Sequence, residues 1–420
     1  MNKDFFTRMR KKYVAKAKEN SISVFHSGKV FPKSADQDFD FEVDKNFYYL
    51  TGIKQADVIL VLIKHQNDCD EMLFIEENDP LYVKWYGAKL TKEEATHISG
   101  VENIKYLNNF PTTIYSLLNN TRASGLCYQE IYLNLERRDN PNYSNWALSY
   151  AEELKTKYPE IVINNSYNLV INLRATKESE EIEKIKASIA TTKTGIEALM
   201  KHAQVGLYEY QLESYFDQHI KYHGQKVNSF KTIAATGINA TILHYVFNNT
   251  KLQDDELILF DLGCCTDFYV SDITRTFPVN GKFTKRQAEV YQEVLIVNKK
   301  CIEFLKAGIT WKQYQEYARG LIIDACKRLG LITEDKDVVT YYWHGIGHSI
   351  GLDTHDPVLY NEPLKAGTVL TVEPGIYISE EKMGIRIEDN VVVTEHGCIN
   401  LSQDIIKEIK DIEEFMKKHH

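Results

Sequence analysis

Four carboxylates in the second half of the chain stand among apolar neighbours. Asp261 follows the run Leu257–Phe260, Asp272 lies in YVSDITRTF, Glu373 follows the β-branched stretch of VLTVEPG, and Glu388 sits in GIRIEDNVVV. Burying an ionised group is costly unless it is paired or bound to a metal. Between the first two acids and the last two runs a glycine-rich segment, HGIGHSIGLDTHD, which carries His344, His348 and His355. Any one of these residues alone reads as a turn acid, a cap or a hydrogen-bonded loop histidine. The set needs a common partner, and a divalent cation is the simplest. Four carboxylates carry −4 and two divalent cations +4, so a pair of ions neutralises the cluster. Paired ions ~3.5–4 Å apart generate a nucleophile from water and clamp a developing oxyanion. A ligand set rich in oxygen, with one imidazole and no thiolate, suits Mn²⁺ and tolerates Co²⁺ or Zn²⁺.

These side chains need elements to hold them. Asp261 and Asp272 are eleven positions apart, so two strands joined by a turn around Cys264–Asp267 bring both to one end of a hairpin. VLTVEPGIYI and GIRIEDNVVVTE read as strands that carry Glu373 and Glu388 inside them. Apolar steps of three and four at Ile182, Ile185, Ile189, Ile196 and Leu199 predict one long amphipathic helix over Lys177–His202. Further helices are expected over Tyr208–His223, 284–306, 310–330 and Lys407–Lys418.

The pattern changes near residues 165–178, where a new domain begins. The preceding part reads as a compact αβ domain with no chemical motif of its own. Phe5, Phe6, Met9 and Tyr13 recur at helical spacing. Strands are expected at Ile22–His26, Phe47–Leu50, Val58–Ile63, Met72–Ile75 and Asn103–Leu107. Thr91–Ser99 reads as a helix, with Thr91 as N-cap and Glu94 at the position that closes a capping box. The fold class is α+β, with a small αβ domain over 1–172 and a catalytic domain over 173–420.

Composition narrows the function classes. The 420 residues are 43% hydrophobic and 26% charged, with 21 Gly and 9 Pro, which excludes a disordered or fibrous chain. The charge, 50 − 59 = −9, lacks the basic excess of a dedicated nucleic-acid binder. The longest apolar run, Val58–Ile63, is far short of the ~20 residues that span a bilayer. The charged N-terminus has no hydrophobic export segment. Neither nucleic acid nor membrane is expected as a partner, and the expected location is cytoplasmic. Cysteines at 69, 127, 264, 265, 301, 326 and 398 form no CxxC pair and read as free thiols of a reducing compartment. The adjacent Cys264 and Cys265 read as small strand residues rather than a redox device.

The motifs, in this order, resemble those of a known family. LHYxxN (Leu243–Asn248), FDLG, SDITRTFP, HGIGHSIGLDTHD, TVEPGIYI and GIRIEDNVVVT are similar to those of the proline-specific metallopeptidases with the pita-bread (creatinase/aminopeptidase-like) fold. These are the X-Pro aminopeptidases (aminopeptidase P) and the prolidases. The motifs cover about 175–400. FPxSADxDFxF and NFYYLTG resemble the N-terminal domain of the aminopeptidase P branch, so the resemblance extends over nearly the whole chain. It implies two divalent metals, with Asp261 on one, Asp272 and Glu388 bridging, and His348 and Glu373 completing the second. It implies a bridging hydroxide as nucleophile, and substrate contacts from His244 in the LHY motif, from His355 and from His344. Glu373 would carry a proton toward the leaving nitrogen. Arg386, two residues before Glu388 on the same strand face, would orient a bridging carboxylate and border the substrate. Tyr377 in PGIYI reads equally as a site residue or as a packing residue.

The implied activity is removal of an N-terminal residue ahead of proline. Prolidase is the alternative, since the ligand motifs are shared; the N-terminal signature and the length favour the aminopeptidase. A methionine aminopeptidase would not need this N-terminal domain. A non-catalytic peptide-binding relative would have lost ligands, and all five positions are filled. Creatinase-like amidinohydrolases lack the metal set. The implied partners are peptides with proline second, and further copies of the chain in a homodimer or homotetramer. Trp85 in KWYG falls where a neighbouring subunit's aromatic could cover the site, although a packed aromatic of its own domain is the favoured reading.

Overall fold

The computed structural model describes residues 1–66, 68–119, 128–225 and 227–419; Cys127 lies outside them. Contacts divide the chain into two units, Met1–Leu173 and Arg174–His420.

The first unit is built on a mixed six-stranded sheet. From one edge its strands are Asn103–Tyr106, Cys69–Ile75, Ile59–Lys64, Ser21–His26, Glu130–Leu133 and Val162–Asn165. Ile22 and Val24 alternate with Ser21 and Ser23, and they meet Val61, Ile63, Ile131 and Leu133 in one core. Asn2 caps the first helix, Lys3–Val14, which buries Phe5, Phe6, Met9 and Tyr13 as the spacing predicts. Thr91 and Glu94 form the expected capping box on Lys92–Ser99. One expectation fails. Phe47–Leu50 is not a strand but part of the helix Lys45–Thr51. Asp44 accepts from the Phe47 amide at 2.8 Å as N-cap, and Gly52, left-handed at φ 73°, ends the helix. A short apolar run buried on all sides shows no period, so its caps decide its structure. Trp85, on the helix Pro80–Tyr86, is 75% exposed, which overturns the packed-aromatic reading.

The second unit opens with the long helix Ser179–His202 and the helix Glu209–Tyr222. Strand Leu257–Leu262 lies between Ile233–Thr236 and Ile273–Pro278, antiparallel to both. Val369–Val372, Asp389–Val393 and Cys398–Asn400 form a second antiparallel sheet, and Gly375–Ile378 pairs with Met383–Arg386. Helices Lys285–Phe304, Trp311–Arg328 and Ile409–His419 complete the unit.

Two details depart from the sequence reading. The turn between the acid-bearing strands falls at Asp267 and Phe268, both at positive φ, inside a small Cys265–Thr266/Tyr269–Val270 ladder. Glu373 and Glu388 do not lie inside strands. Each apolar run breaks at its acid, Glu373 directly after Val372 and Glu388 directly before Asp389. Pro374 explains the first break, because it has no N–H for a ladder. Leaving the ladder frees these side chains to turn toward one point. Cys69, Cys264, Cys301, Cys326 and Cys398 are free thiols. No helix among the described residues is long and apolar enough to cross a membrane.

Candidate metal and substrate site

Asp261 is held near the end of its strand, opposite Thr274. Asp272 stands just before the partner strand, where Asn390 pins its backbone at both N–H (3.1 Å) and C=O (2.7 Å). The Glu388 amide donates to the Thr274 carbonyl at 3.0 Å, and the Glu373 amide to the Ile346 carbonyl at 2.8 Å. The glycine-rich loop follows from the same packing. A Cβ on Gly347 would lie 2.1 Å from the Thr371 carbonyl oxygen, so only glycine lets this backbone pass. The neighbouring His348 amide is then caught by Thr371 Oγ1 at 2.9 Å. The loop's far end is anchored by Asp356, next to His355, which pairs with Arg174 at 2.6 Å and Lys177 at 2.9 Å, all three buried.

The four carboxylates, His244, His344, His348, His355 and Arg386 line one cavity of about 490 Å³, and Tyr377 lies behind them. His348 Nε2 lies 3.4 Å from Asp272 Oδ2 and 3.6 Å from Glu373 Oε1. Ligand atoms of Asp272, His348 and Glu388 all fall within 4.8 Å of one another. The His355 ring stands edge-on to His348 at 4.2 Å. His244 is exposed on the loop beside Leu243 and Val246, and also faces the cavity.

Hydrogen bonds satisfy these carboxylates only in part. Glu388 Oε2 accepts from Thr274 Oγ1 at 2.7 Å, Glu373 Oε1 from Thr371 Oγ1 at 3.3 Å, and Asp261 Oδ2 from Arg386 Nη2 at 2.6 Å. Asp261 Oδ1, Asp272 Oδ1 and Glu388 Oε1 are buried with no partner. Buried acceptors without a donor are rare and costly. Asp272 and Glu388 each carry such an oxygen and converge with the His348 ring, a donor set that suits a divalent cation.

The electrostatics agree. Burial, then the Asp261 charge, pushes Asp272 up to about 7. Burial followed by the charges of Asp272, Glu373 and Asp261 drives Glu388 well above the carboxylate range, and Glu373 is also raised, chiefly by burial. Burial works to lower His348, but the hydrogen bond and charge of Asp272 override it and raise the ring to about 9. Like charges crowded out of water resist ionisation until a cation joins them. His344 differs: burial, then the nearby Arg386 charge, takes it down to about 3, so it is neutral.

Arg386 supports two of the carboxylates, Asp261 directly and Glu388 through Thr274. It is buried, with Nη2 on Asp261, Nη1 on the Tyr377 hydroxyl at 3.0 Å and Nε on Thr274 Oγ1 at 3.1 Å. A side chain two positions before Glu388 shares its strand face only if the strand is continuous, and this one breaks between them. Tyr377 is more than packing, since its hydroxyl also meets His344 Nε2 at 2.8 Å. Sequence reasoning missed Thr274, Thr371 and Asn390. Thr274 is the strand partner of Asp261, and Thr371 is that of Asn390, pairings that a single strand does not show.

The Metallopeptidase family M24 profile matches residues 183–395, and the aminopeptidase P N-terminal domain profile matches residues 6–126. The Xaa-Pro aminopeptidase of Haemophilus influenzae is 32% identical over 433 residues, covering 99% of this chain and 97% of that one. A provisionally assigned aminopeptidase P of Bacillus anthracis superposes with a TM-score of 0.97 at 41% identity, covering 100% of this chain and 99% of that one. Zinc-substituted Escherichia coli aminopeptidase P in complex with product gives 0.90 at 28% identity, with the same coverage. The chain therefore belongs to the aminopeptidase P family of M24 metallopeptidases, with the aminopeptidase P N-terminal domain preceding a pita-bread catalytic domain.

Proposed function

We propose that this chain is an X-Pro aminopeptidase, releasing one N-terminal residue from peptides with proline second, and that Asp261, Asp272, His348, Glu373 and Glu388 hold two divalent ions, with Mn²⁺ the best match. The carrying observation is the trio of buried, unpartnered carboxylate oxygens on Asp261, Asp272 and Glu388, opening on the cavity that His244 and His355 share. Bound there, the ions supply Lewis-acid polarisation of the scissile carbonyl and acidify a water.

The chain's own residues do the rest. His244 and His355 offer imidazole N–H groups where negative charge develops on the carbonyl oxygen, which is where preorganised donors contribute most. Glu373, facing the cavity, takes a proton from the attacking water and delivers it to the proline nitrogen. Arg386 and Tyr377 fix Asp261 from behind. The X-Pro amide has no N–H and a locked φ, so proteases that read a strand handle it poorly. A cavity that reads the free amine and the ring does not need that N–H.

The relatives' substrates support this reading. E. coli aminopeptidase P has been solved with the inhibitor Pro-Leu and, as a variant, with substrate. The exposed Leu81, Tyr82, Trp85 and Tyr86 of one short helix support assembly of this chain into a homodimer or homotetramer.

The test is a peptide panel read by mass spectrometry with Mn²⁺-loaded protein: X-Pro, X-Pro-X, a longer X-Pro peptide, Met-Ala-X and X-Ala-X. Release of the first residue from the X-Pro tripeptide and the longer peptide is expected. Cleavage of the dipeptide alone would make the protein a prolidase, and no cleavage with metal bound would leave a binding module.

A further inference from the structure

Glu209, the first residue of the helix Glu209–Tyr222, is a fully buried carboxylate that takes no part in the cavity. Four donors converge on it, none of them a cation. Oε1 accepts from the Thr236 amide at 2.8 Å and Asn239 Nδ2 at 3.2 Å. Oε2 accepts from the Tyr245 hydroxyl at 2.9 Å and the Thr250 amide at 2.8 Å. An ionised carboxylate offers acceptors only, so it matches four donors where an amide could not. Its place in the first helical turn is also favourable for negative charge.

All four donors belong to one segment, residues 236–250, and His244 lies within it. The far end of that segment is tied to the same helix start by backbone hydrogen bonds, the Glu209 amide to the Thr250 carbonyl at 3.0 Å and the Tyr210 amide to the Asn248 carbonyl at 2.7 Å. His244 itself is exposed, and its neighbour Tyr245 is the nearest fixed point. Tyr245 packs with Leu259, Ile233 and Ala235 in one small core, and Leu259 lies two residues before Asp261 on the same strand face. The hydroxyl of that ring ends on Glu209.

We propose that Glu209 is a positioning residue for His244. It acts through Tyr245 and the loop amides to set the imidazole against the carboxylate cluster. The proposal rests on His244 acting in the X-Pro reaction. A loop histidine without such a hub would sample many positions, and a 1 Å misplacement of a catalytic group is costly in rate.

The experiment is a double-mutant cycle on Mn²⁺-loaded protein with an X-Pro-X tripeptide, comparing wild type, Glu209→Gln, His244→Ala and the double variant. Glu209→Gln is expected to lower kcat about 10- to 100-fold, with KM and bound manganese nearly unchanged. In the His244→Ala background the same change is expected to have no further effect on kcat. Tyr245→Phe, which removes one donor and keeps the ring, is expected to give a smaller kcat loss that also vanishes without His244. This milder variant decides the matter if the glutamine form does not fold. An equal Glu209→Gln or Tyr245→Phe loss in both backgrounds would reduce Glu209 to a structural residue. Unchanged turnover in His244→Ala would sink the reading of His244, and the proposal with it, while X-Pro cleavage by the wild type stood.

Discussion

Arg386 Nη2 and Asp261 Oδ2 lie 2.6 Å apart, while Asp261 Oδ1 is buried with no partner. One oxygen is committed to the guanidinium and the other is left aimed into the cavity. Arg386→Lys keeps the charge but loses the fork that reaches Asp261, Thr274 and Tyr377 together. We expect a fall in activity or metal affinity of about 10- to 100-fold, the usual effect of disturbing a ligand's supporting partner. Titrating the apoprotein with Mn²⁺ while assaying an X-Pro-X tripeptide checks this.

Asp272→Asn replaces an anionic oxygen at the centre of the cluster with a donor amide facing His348, 3.4 Å from the original Oδ2. Activity should vanish and the metal count per chain should drop, as read by elemental analysis after dialysis. Full activity with full metal loading would refute the proposed ligand set.

Chelation should destabilise the catalytic domain. Asp261, Asp272, Glu373 and Glu388 then face one another with only Arg386 and His348 to offset their charge, and anything that binds only the folded state raises its melting temperature. A calorimetric melt of the EDTA-treated protein should show a lower Tm that Mn²⁺ restores. An unchanged melt would mean that the carboxylates find another way to relieve their repulsion.

Glu181 predicts a pH dependence of stability away from the site. Burial raises its carboxyl from the ordinary 4.5 to about 7, although the Glu178 amide and the Tyr269 hydroxyl both hydrogen-bond to it. Because the folded value is the higher one, folding favours the protonated form. Its stabilising contribution is complete below pH 4.5 and is lost as pH rises through about 7, an effect on the order of 3 kcal/mol. Glu181→Gln should flatten urea-melt stability between those limits, and an unchanged slope would show that Glu181 is ionised throughout.

Trp85→Glu, on the exposed helix Pro80–Tyr86, should lower the molar mass seen by light scattering if that face joins copies of the chain. An unaltered mass would place the contact elsewhere.

Local and compositional facts were legible in the sequence. The long helix at Ser179–His202 follows from periodicity, the capping box at Thr91 from residue spacing, and the strands at 21–26 and 59–64 from short runs rich in β-branched residues, all of which neighbours along the chain determine. Acids and histidines set among apolar residues announced a site, because burial of charge needs compensation wherever the residues end up. The sequence did not show that Phe47–Leu50 is helical, since a fully buried run has no period to read. Nor did it show that the apolar runs stop at Glu373 and Glu388, which turns both acids out of the ladders. Only the tertiary structure decided that Arg386 serves Asp261, that Thr274 and Thr371 donate to Glu388 and Glu373, and that Glu209 gathers the loop of His244. Each of these pairings spans strands or loops distant in sequence, except Thr371 with Glu373. Hydrogen bonds depend on where atoms meet in space, and chain order alone does not fix that.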